Sequence, residues 1–254
     1  MGSQVAGLSL MFTLGTSPMI LSAHQPYFAP YPGFFCKASL SDVFVLLDEV
    51  QFPQGTTWVS RNRFKNHQGT LWITIPVWKK GLGLQRINDV RICQEGRWHK
   101  KHLESLKAAY AKAPYFSDHL DFVKEMFSER FERLTDLNGA VIDYLMKLLR
   151  VNTRILRLSE LGLASTGTPR LVEICRMMGA SRFLVQAAAK KYLDEKLFLE
   201  AGIELSFFTP PSPVYPQLWG DFLPNLSVFD LVFTCGPKAH DILLGGTGKR
   251  VCPC

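Results

Sequence analysis

The sequence predicts an α/β fold: a mostly parallel, Rossmann-like sheet flanked by helices and carrying a helical insert. Three observations predict it. Short β-prone runs alternate with helical periodicity in the second half of the chain, an order that favours parallel strands with helices packed on them. Asp42–Asp48, DVFVLLD, is a continuous apolar run with an acid at each end, the pattern of a strand buried on both faces. From about residue 96 to 150 the spacing of apolar residues turns helical throughout.

Each element follows from its local pattern. Met19–Ala23 reads as a short buried strand running into a loop rich in proline and tyrosine, and residues 33–40 as a short helix or turn. Trp72–Val77, WITIPV, is a second β-prone stretch, closed by Pro76 and the pair Lys79-Lys80. In the insert, Trp98, Leu103, Leu106, Tyr110 and Ala113 mark a helix that Pro114 stops. Leu120, Val123 and Phe127 mark the next, and Val141, Leu145, Leu148 and Leu149 a third. Thr153–Leu158 then reads as a strand, 168–179 as a helix ending at Gly179, and Arg182–Gln186 as a strand. A helix over about 190–201 follows, with Gly202 at its end, then the strand Ile203–Phe208. A loop at 209–227 precedes a last apolar segment, Ser227–Cys235.

The chain has 254 residues, 47% hydrophobic and 20% charged, which suits one globular domain. That domain is expected over 19–237, with 1–18 an N-terminal extension outside the fold and 238–254 a C-terminal tail. The first 18 residues contain no Lys or Arg to begin a secretory signal. No apolar run reaches the length of a membrane span. The net charge of +7 points to a phosphate-bearing partner. Because the cations are scattered, a phosphorylated small molecule or nucleotide is a better fit than nucleic acid. Cys36, Cys93, Cys175 and Cys235 lie singly in apolar surroundings, the usage of reduced cysteines in a cytoplasmic protein. Cys252 and Cys254 are one residue apart with no second pair, so no zinc site is predicted.

The stretch His24–Phe35, HQPYFAPYPGFF, is the leading candidate for the functional centre. Its prolines fix the backbone and Gly33 permits close approach. His24 can exchange a proton near neutral pH, while Gln25, Tyr27 and Tyr31 offer uncharged hydrogen bonds. A rigid aromatic corner is the structural alternative. Asp48 closes a strand and is a candidate base, ribose ligand or holder of a metal through water; a helix cap or ion pair is the bland reading. Trp58–Arg63, WVSRNR, sets an indole beside Arg61, Asn62 and Arg63, a combination that holds phosphate or carboxylate and stacks on a base or sugar. Lys65, Lys79 and Lys80 extend it, with a solvated basic hairpin as the alternative. Lys191 and Tyr192 stand in Ala187–Tyr192, after a strand, where backbone N–H groups can face an anion. Tyr215, Gln217 and Trp219 of YPQLWG, with Asn225 and Asp230 downstream, form a second aromatic-polar cluster that either closes over the same pocket or crosses the sheet. His99 and His102 lie three apart among lysines with no third ligand, and read as a solvated basic face rather than a metal pair. Serine-hydrolase, zinc-protease and dinucleotide fingerprints are absent, and no cofactor is named by any motif.

HQPYFAPYPGFF, DVFVLLDEVQF, WVSRNRFK, LWITIPV, RLVEICRMMGASRFL, KKYLDEKLFLEAGIEL, YPQLWG and NLSVFDLVFTCG, in this order, resemble the WbqC-like protein family over about residues 19–237. The paired elements QPYF-x-PY-x-GF and VQF…W…RNR carry the likeness, and the second brings in Gln51. The resemblance implies a role in O-antigen-type surface-polysaccharide biosynthesis. The implied substrate is a nucleotide-linked or otherwise activated sugar, with acyl or aminoacyl transfer to an amino sugar as the implied reaction. One departure stands out: relatives carry a Ser-Gly turn where this chain has Val185-Gln186-Ala187-Ala188, which implies altered specificity or reduced activity. A non-catalytic binding or assembly role is one alternative. Nucleotidyl transfer, by analogy with His-containing loops, is another.

Overall fold

The structure, a computed structural model, describes residues 18–245 and 251–253. The chain opens with β1 (Ile20–His24) and α1 (Pro32–Ser39), whose proline sits in the first turn, where its missing N–H goes unused. β2 (Val43–Leu46) follows and is buried throughout. β3 (Arg61–Asn66) and β4 (Gly69–Thr74) pair antiparallel as a separate two-stranded sheet. The helical region comprises α2 (Trp98–Tyr110), α3 (Leu120–Met126) and α4 (Leu134–Leu148). Then come β5 (Arg154–Arg157), α5 (Gly167–Met178), β6 (Arg182–Gln186), α6 (Glu195–Glu200) and β7 (Glu204–Phe208). α7 (Val228–Cys235), α8 (Ala239–Leu244) and β8 (Val251–Pro253) complete the described chain.

The main sheet runs β5-β2-β1-β6-β7, all parallel, with β8 antiparallel on the β7 edge. With β1, β2, β5, β6 and β7 as its first to fifth parallel strands, the order is 3-2-1-4-5. Progress across the sheet therefore reverses between β1 and β6. Alternation along the strands serves two cores. Phe44 and Leu46 join α1, α4, α7 and the β3–β4 hairpin on one face. Val43 and Val45 join α5 and α6 on the other. The expected α/β class is what is observed, with the helical region and the hairpin stacked on a single face.

Several segments differ from the sequence reading. Arg61–Asn66 is a strand although RNRFKN has no β-prone run; its partner β4 and the turn at Gly69, where φ is +104°, make it one. The strand expected at Trp72–Val77 begins earlier and ends before Pro76. The helix expected over 190–201 is divided into a 3-10 segment at Ala187–Tyr192 and α6, because the Asp194 side chain accepts from the Lys196 N–H and starts a new helix. The apolar Ser227–Cys235 stretch is helical and capped by Ser227. Residues 1–17 lie outside the described residues.

The segment after residue 238, expected as a tail, forms α8. Leu243 is fully buried in the larger core, its carbonyl accepts from the Cys36 thiol, and His240 Nδ1 lies 2.6 Å from the Leu149 carbonyl. Truncating Leu243→Ala should cost about 2–4 kcal/mol by urea denaturation. An unchanged midpoint would show that this segment does not contribute to the fold.

Candidate functional site

The site begins with a problem of hydrogen bonding. The loop between β1 and α1 contains Pro26 and Pro30 and runs into Pro32 at the head of α1; none of the three donates, and the loop's carbonyls are turned into protein rather than water. Buried carbonyls need donors, and here side chains supply most of them. Asn138 on α4 donates to the carbonyls of Pro26 and Val59, both at 2.8 Å. Asn62 on β3 donates to those of Phe28 at 3.0 Å and Ala29 at 2.7 Å. Val228 N–H, at the start of α7, donates to the Pro30 carbonyl, and Lys37 Nζ donates to that of Ala23 at 2.7 Å. Ala29 is held at φ +43°, a left-handed conformation that a residue with a Cβ adopts only under constraint.

So fixed, the loop forms one wall of a cleft of about 330 Å³ lined by Tyr27, Tyr31, Trp58, Asn62, Arg63, Gln186 and Asn225. Tyr31 comes from the end of the β1 loop and Gln186 is the last residue of β6. The cleft therefore sits at the carboxyl ends of β1 and β6, where the strand order reverses, the place at which open α/β sheets bind ligands. Gln186 Nε2 donates to the Tyr31 hydroxyl across this crevice. Gly33 is required beneath it: a Cβ there would lie 2.5 Å from both the Tyr31 ring and Pro210.

The cleft carries one formal charge. Arg63 Nη2 donates to the carbonyls of Pro224 and Asn225, each at 3.0 Å, while its buried Nε has no hydrogen-bond partner among the described residues. Its guanidinium lies 6.0 Å from the Trp58 ring. Asn62 also accepts from the Arg63 N–H at 2.8 Å, so its amide is committed to the framework. Burial raises the phenols of Tyr27 and, to about 12, of Tyr31, which keeps both as hydrogen-bond donors at neutral pH.

His24 lies behind this wall. Its ring meets Tyr27 edge-on at 4.4 Å and Phe34 at 5.0 Å, and Nδ1 is 2.9 Å from the Gln25 carbonyl. A carbonyl only accepts, so Nδ1 bears the proton and Nε2 carries the lone pair. Burial, with the nearby Lys37 cation, pushes His24 down to about 3. Burial also brings Lys37 down to about 7. Lys37 was missed in the sequence; the available signal was a single charge inside the apolar helix PGFFCKAS.

The other predicted residues are placed elsewhere. Asp48, a candidate base, has the bonds of the capping alternative: its carboxylate accepts from Ser159 N–H at 2.9 Å and Ser159 Oγ at 2.6 Å. Gln25 contributes a backbone carbonyl, and Gln51 is exposed, bridging to Arg86. Arg61 stacks on Trp72, with its guanidinium 3.7 Å from the ring, outside the cleft. Lys79 lies in a second cleft beside Phe52, and Lys191 and Tyr192 are exposed on the 3-10 segment. Tyr215, Gln217 and Trp219 do not cover the site. Tyr215 is in the core, Gln217 accepts from Lys65 Nζ at 3.0 Å, and Trp219 Nε1 donates to the Ala109 carbonyl at 2.8 Å. His99 and His102 are less solvated than expected. His99 stacks on Trp98 at 3.7 Å, and His102 reaches the Thr74 carbonyl at 2.8 Å, tying α2 to the hairpin.

The sequence profile of the WbqC-like protein family matches residues 25–242, which span the whole of this arrangement. The chain belongs to the WbqC-like family. A Mycobacterium tuberculosis protein described as uncharacterized is 32% identical over 222 residues, covering 86% of this chain and 95% of its own length. No solved structure matches. In this WbqC-like protein the family match therefore covers the cleft and its asparagine supports and runs into α8 as far as Ile242. Among the described residues, no helix is long and apolar enough to cross a membrane.

Two outcomes are expected. Asn138→Ala, which strands two buried carbonyls, should lower stability by about 2–4 kcal/mol in urea. Because His24 is neutral when folded and protonates near 6.5 when unfolded, it withdraws stability as pH falls below 6.5 towards 3. Lys37 acts with the same sign in a higher window: its contribution grows as pH rises from about 7 towards 10.5. Between about pH 6.5 and 4.5, His24→Gln should lose stability less steeply than the parent, by up to about 1.4 kcal/mol per pH unit. Equal slopes would mean that burial does not hold the imidazole neutral.

Proposed function

We propose that the protein binds a nucleotide-linked or otherwise phosphorylated sugar in the β1–β6 cleft, as an enzyme of O-antigen-type surface-polysaccharide biosynthesis. The observation that carries this reading is the lining itself. One guanidinium, two phenols, three amides and an indole surround the cleft, and no carboxylate does. Arginine recognises phosphate oxygens, the phenols and amides suit sugar hydroxyls, and an indole face covers a sugar or base. On this reading the reaction is acyl or aminoacyl transfer to an amino sugar. His24 acts from behind the cleft wall, where its neutral ring packs edge-on against Tyr27 and positions that phenol. The protein is assigned to the cytoplasm, where such activated sugars are made.

A second reading is a binding or assembly component that holds the same ligand without turnover. It is favoured by the absence, among the cleft-lining residues, of any carboxylate, histidine or thiol to act as base or nucleophile.

Thermal shift against UDP-, GDP- and dTDP-linked sugars, their parent nucleotides and inorganic phosphate separates these readings from failure. A sugar nucleotide at about 100 times Kd should raise Tm by roughly 5–10 °C. Arg63→Gln should weaken binding about tenfold or more. No shift with any of these compounds would overturn the ligand class. Binding with acyl transfer abolished in His24→Gln would support the enzyme; binding with no turnover would favour the assembly role.

A further inference from the structure

Residues 50–88 contain no aspartate or glutamate, yet hold Arg61, Arg63, Lys65, Lys79, Lys80 and Arg86 and three of the five tryptophans. Much of this charge is already engaged. Arg63 is tied to the loop at Pro224 and Asn225, Lys65 is buried on Gln217 and the Asp221 carbonyl, and Arg61 covers Trp72. What stays free is concentrated on one loop, VWKKGLGLQR at 77–86.

The neck of this loop is well made. Gln85 Nε2 donates to the Trp78 carbonyl at 2.9 Å, Trp78 N–H to that of Arg91 at 3.0 Å, and Phe52 N–H to that of Gln85 at 2.9 Å. Its tip presents apolar side chains to solvent, Leu82 at 53% and Leu84 at 68% exposure, with Trp78 at 42% nearer the neck. Gly81 and Gly83 alternate with the leucines at φ +78° and +60°, with open space where their side chains would be. Lys79 reaches the Gln54 carbonyl only at 3.4 Å, Lys80 has no partner among the described residues, and Arg86 shares Glu49 at 3.2 Å. Leucines are thus furthest out, with tryptophan and lysine behind them.

We infer that the 77–86 loop docks this protein on an anionic phospholipid bilayer, with Leu82 and Leu84 entering the acyl boundary and Lys79 and Lys80 at the headgroups. The order of side chains matches the order of layers: aliphatic groups favour hydrocarbon, indole favours the interface, and ammonium groups favour anionic headgroups. Residues 50–88 carry no carboxylate, and of the acids beside the loop Glu49 is paired with Arg86 and Glu132, which shares a surface cleft with Trp78 and Glu95, with Arg91. Nucleic acid fits less well. The accessible apolar groups at the tip are leucines, which offer no stacking face, and Trp72 is occupied by Arg61. The inference rests on this loop alone and stands or falls separately from the ligand assigned to the cleft.

The full chain is tested by cosedimentation with vesicles of phosphatidylcholine alone and of phosphatidylcholine mixed with phosphatidylglycerol. Binding should require phosphatidylglycerol and weaken with added salt. Lys79→Gln with Lys80→Gln should reduce partitioning about twentyfold, since each basic residue near an anionic surface contributes about fivefold. Leu82→Gln with Leu84→Gln should reduce it by at least about tenfold. Both pairs are exposed, and unchanged thermal unfolding would show that the loss is not one of folding. Equal binding to both vesicle types, no binding to either, or full retention by either double variant overturns the inference. So does tighter binding of a single-stranded oligonucleotide that the same substitutions abolish.

Discussion

Everything at the β1–α1 corner depends on finding donors for a row of buried carbonyls. Its three prolines remove N–H groups, and the surrounding aromatic residues remove water. Left so, each carbonyl would cost about 1–3 kcal/mol. Asn62 and Asn138 supply the missing donors from two elements that are distant in sequence, and α7 supplies another through the Val228 N–H. The same bonds therefore join the hairpin, α4 and α7 to the sheet. Stability and site geometry are one property here, because the groups that keep the loop satisfied are the groups that aim Tyr27 and Tyr31.

That corner acquires its functional character from topology. Reversal of strand order between β1 and β6 leaves a crevice that no crossing connection fills. The loop from β1 enters from one side and Gln186 closes the other. Arg63 brings a single positive charge into a space otherwise bounded by phenols, amides and an indole. A lone cation in a partly desolvated cleft attracts an anion more strongly than a surface cluster does, since screening is weaker there. Behind the cleft, two buried titratable groups are kept close to neutrality: His24 loses its proton readily, and Lys37 is brought near the physiological range. Burial is the main cause in both, and the Lys37 cation lowers His24 further.

The boundary between framework and ligand contact cuts through motifs that look uniform in the sequence. WVSRNR contains three roles within six residues: Arg61 covers an indole, Asn62 holds carbonyls and Arg63 faces the cleft. Alternation along the strand turns Asn62 away from the two arginines, and remote partners separate those two: Trp72 takes Arg61, while the carbonyls of Pro224 and Asn225 hold Arg63. Asp48 shows the same limit. An acid just past a strand looks like a catalytic group until the fold brings Ser159 against both of its oxygens.

The sequence by itself determined the α/β class, the positions of most helices and parallel strands, and the loop around which the site is built. These are written in local pattern: burial runs of period two, helical spacing and proline. It also determined the membership in the WbqC-like family, through motifs short enough to be seen in one chain. Tertiary structure alone decided that RNRFKN is a strand, that 239–244 is a helix anchored by Ala239 and Leu243, and that Gln186 joins Tyr27, Tyr31, Trp58 and Arg63. The physical reason is the same in each case. A partner from a remote segment satisfies the backbone or the side chain, as β4 does for β3 and Asn138 for Pro26, and no pattern confined to neighbours along the chain can name that partner.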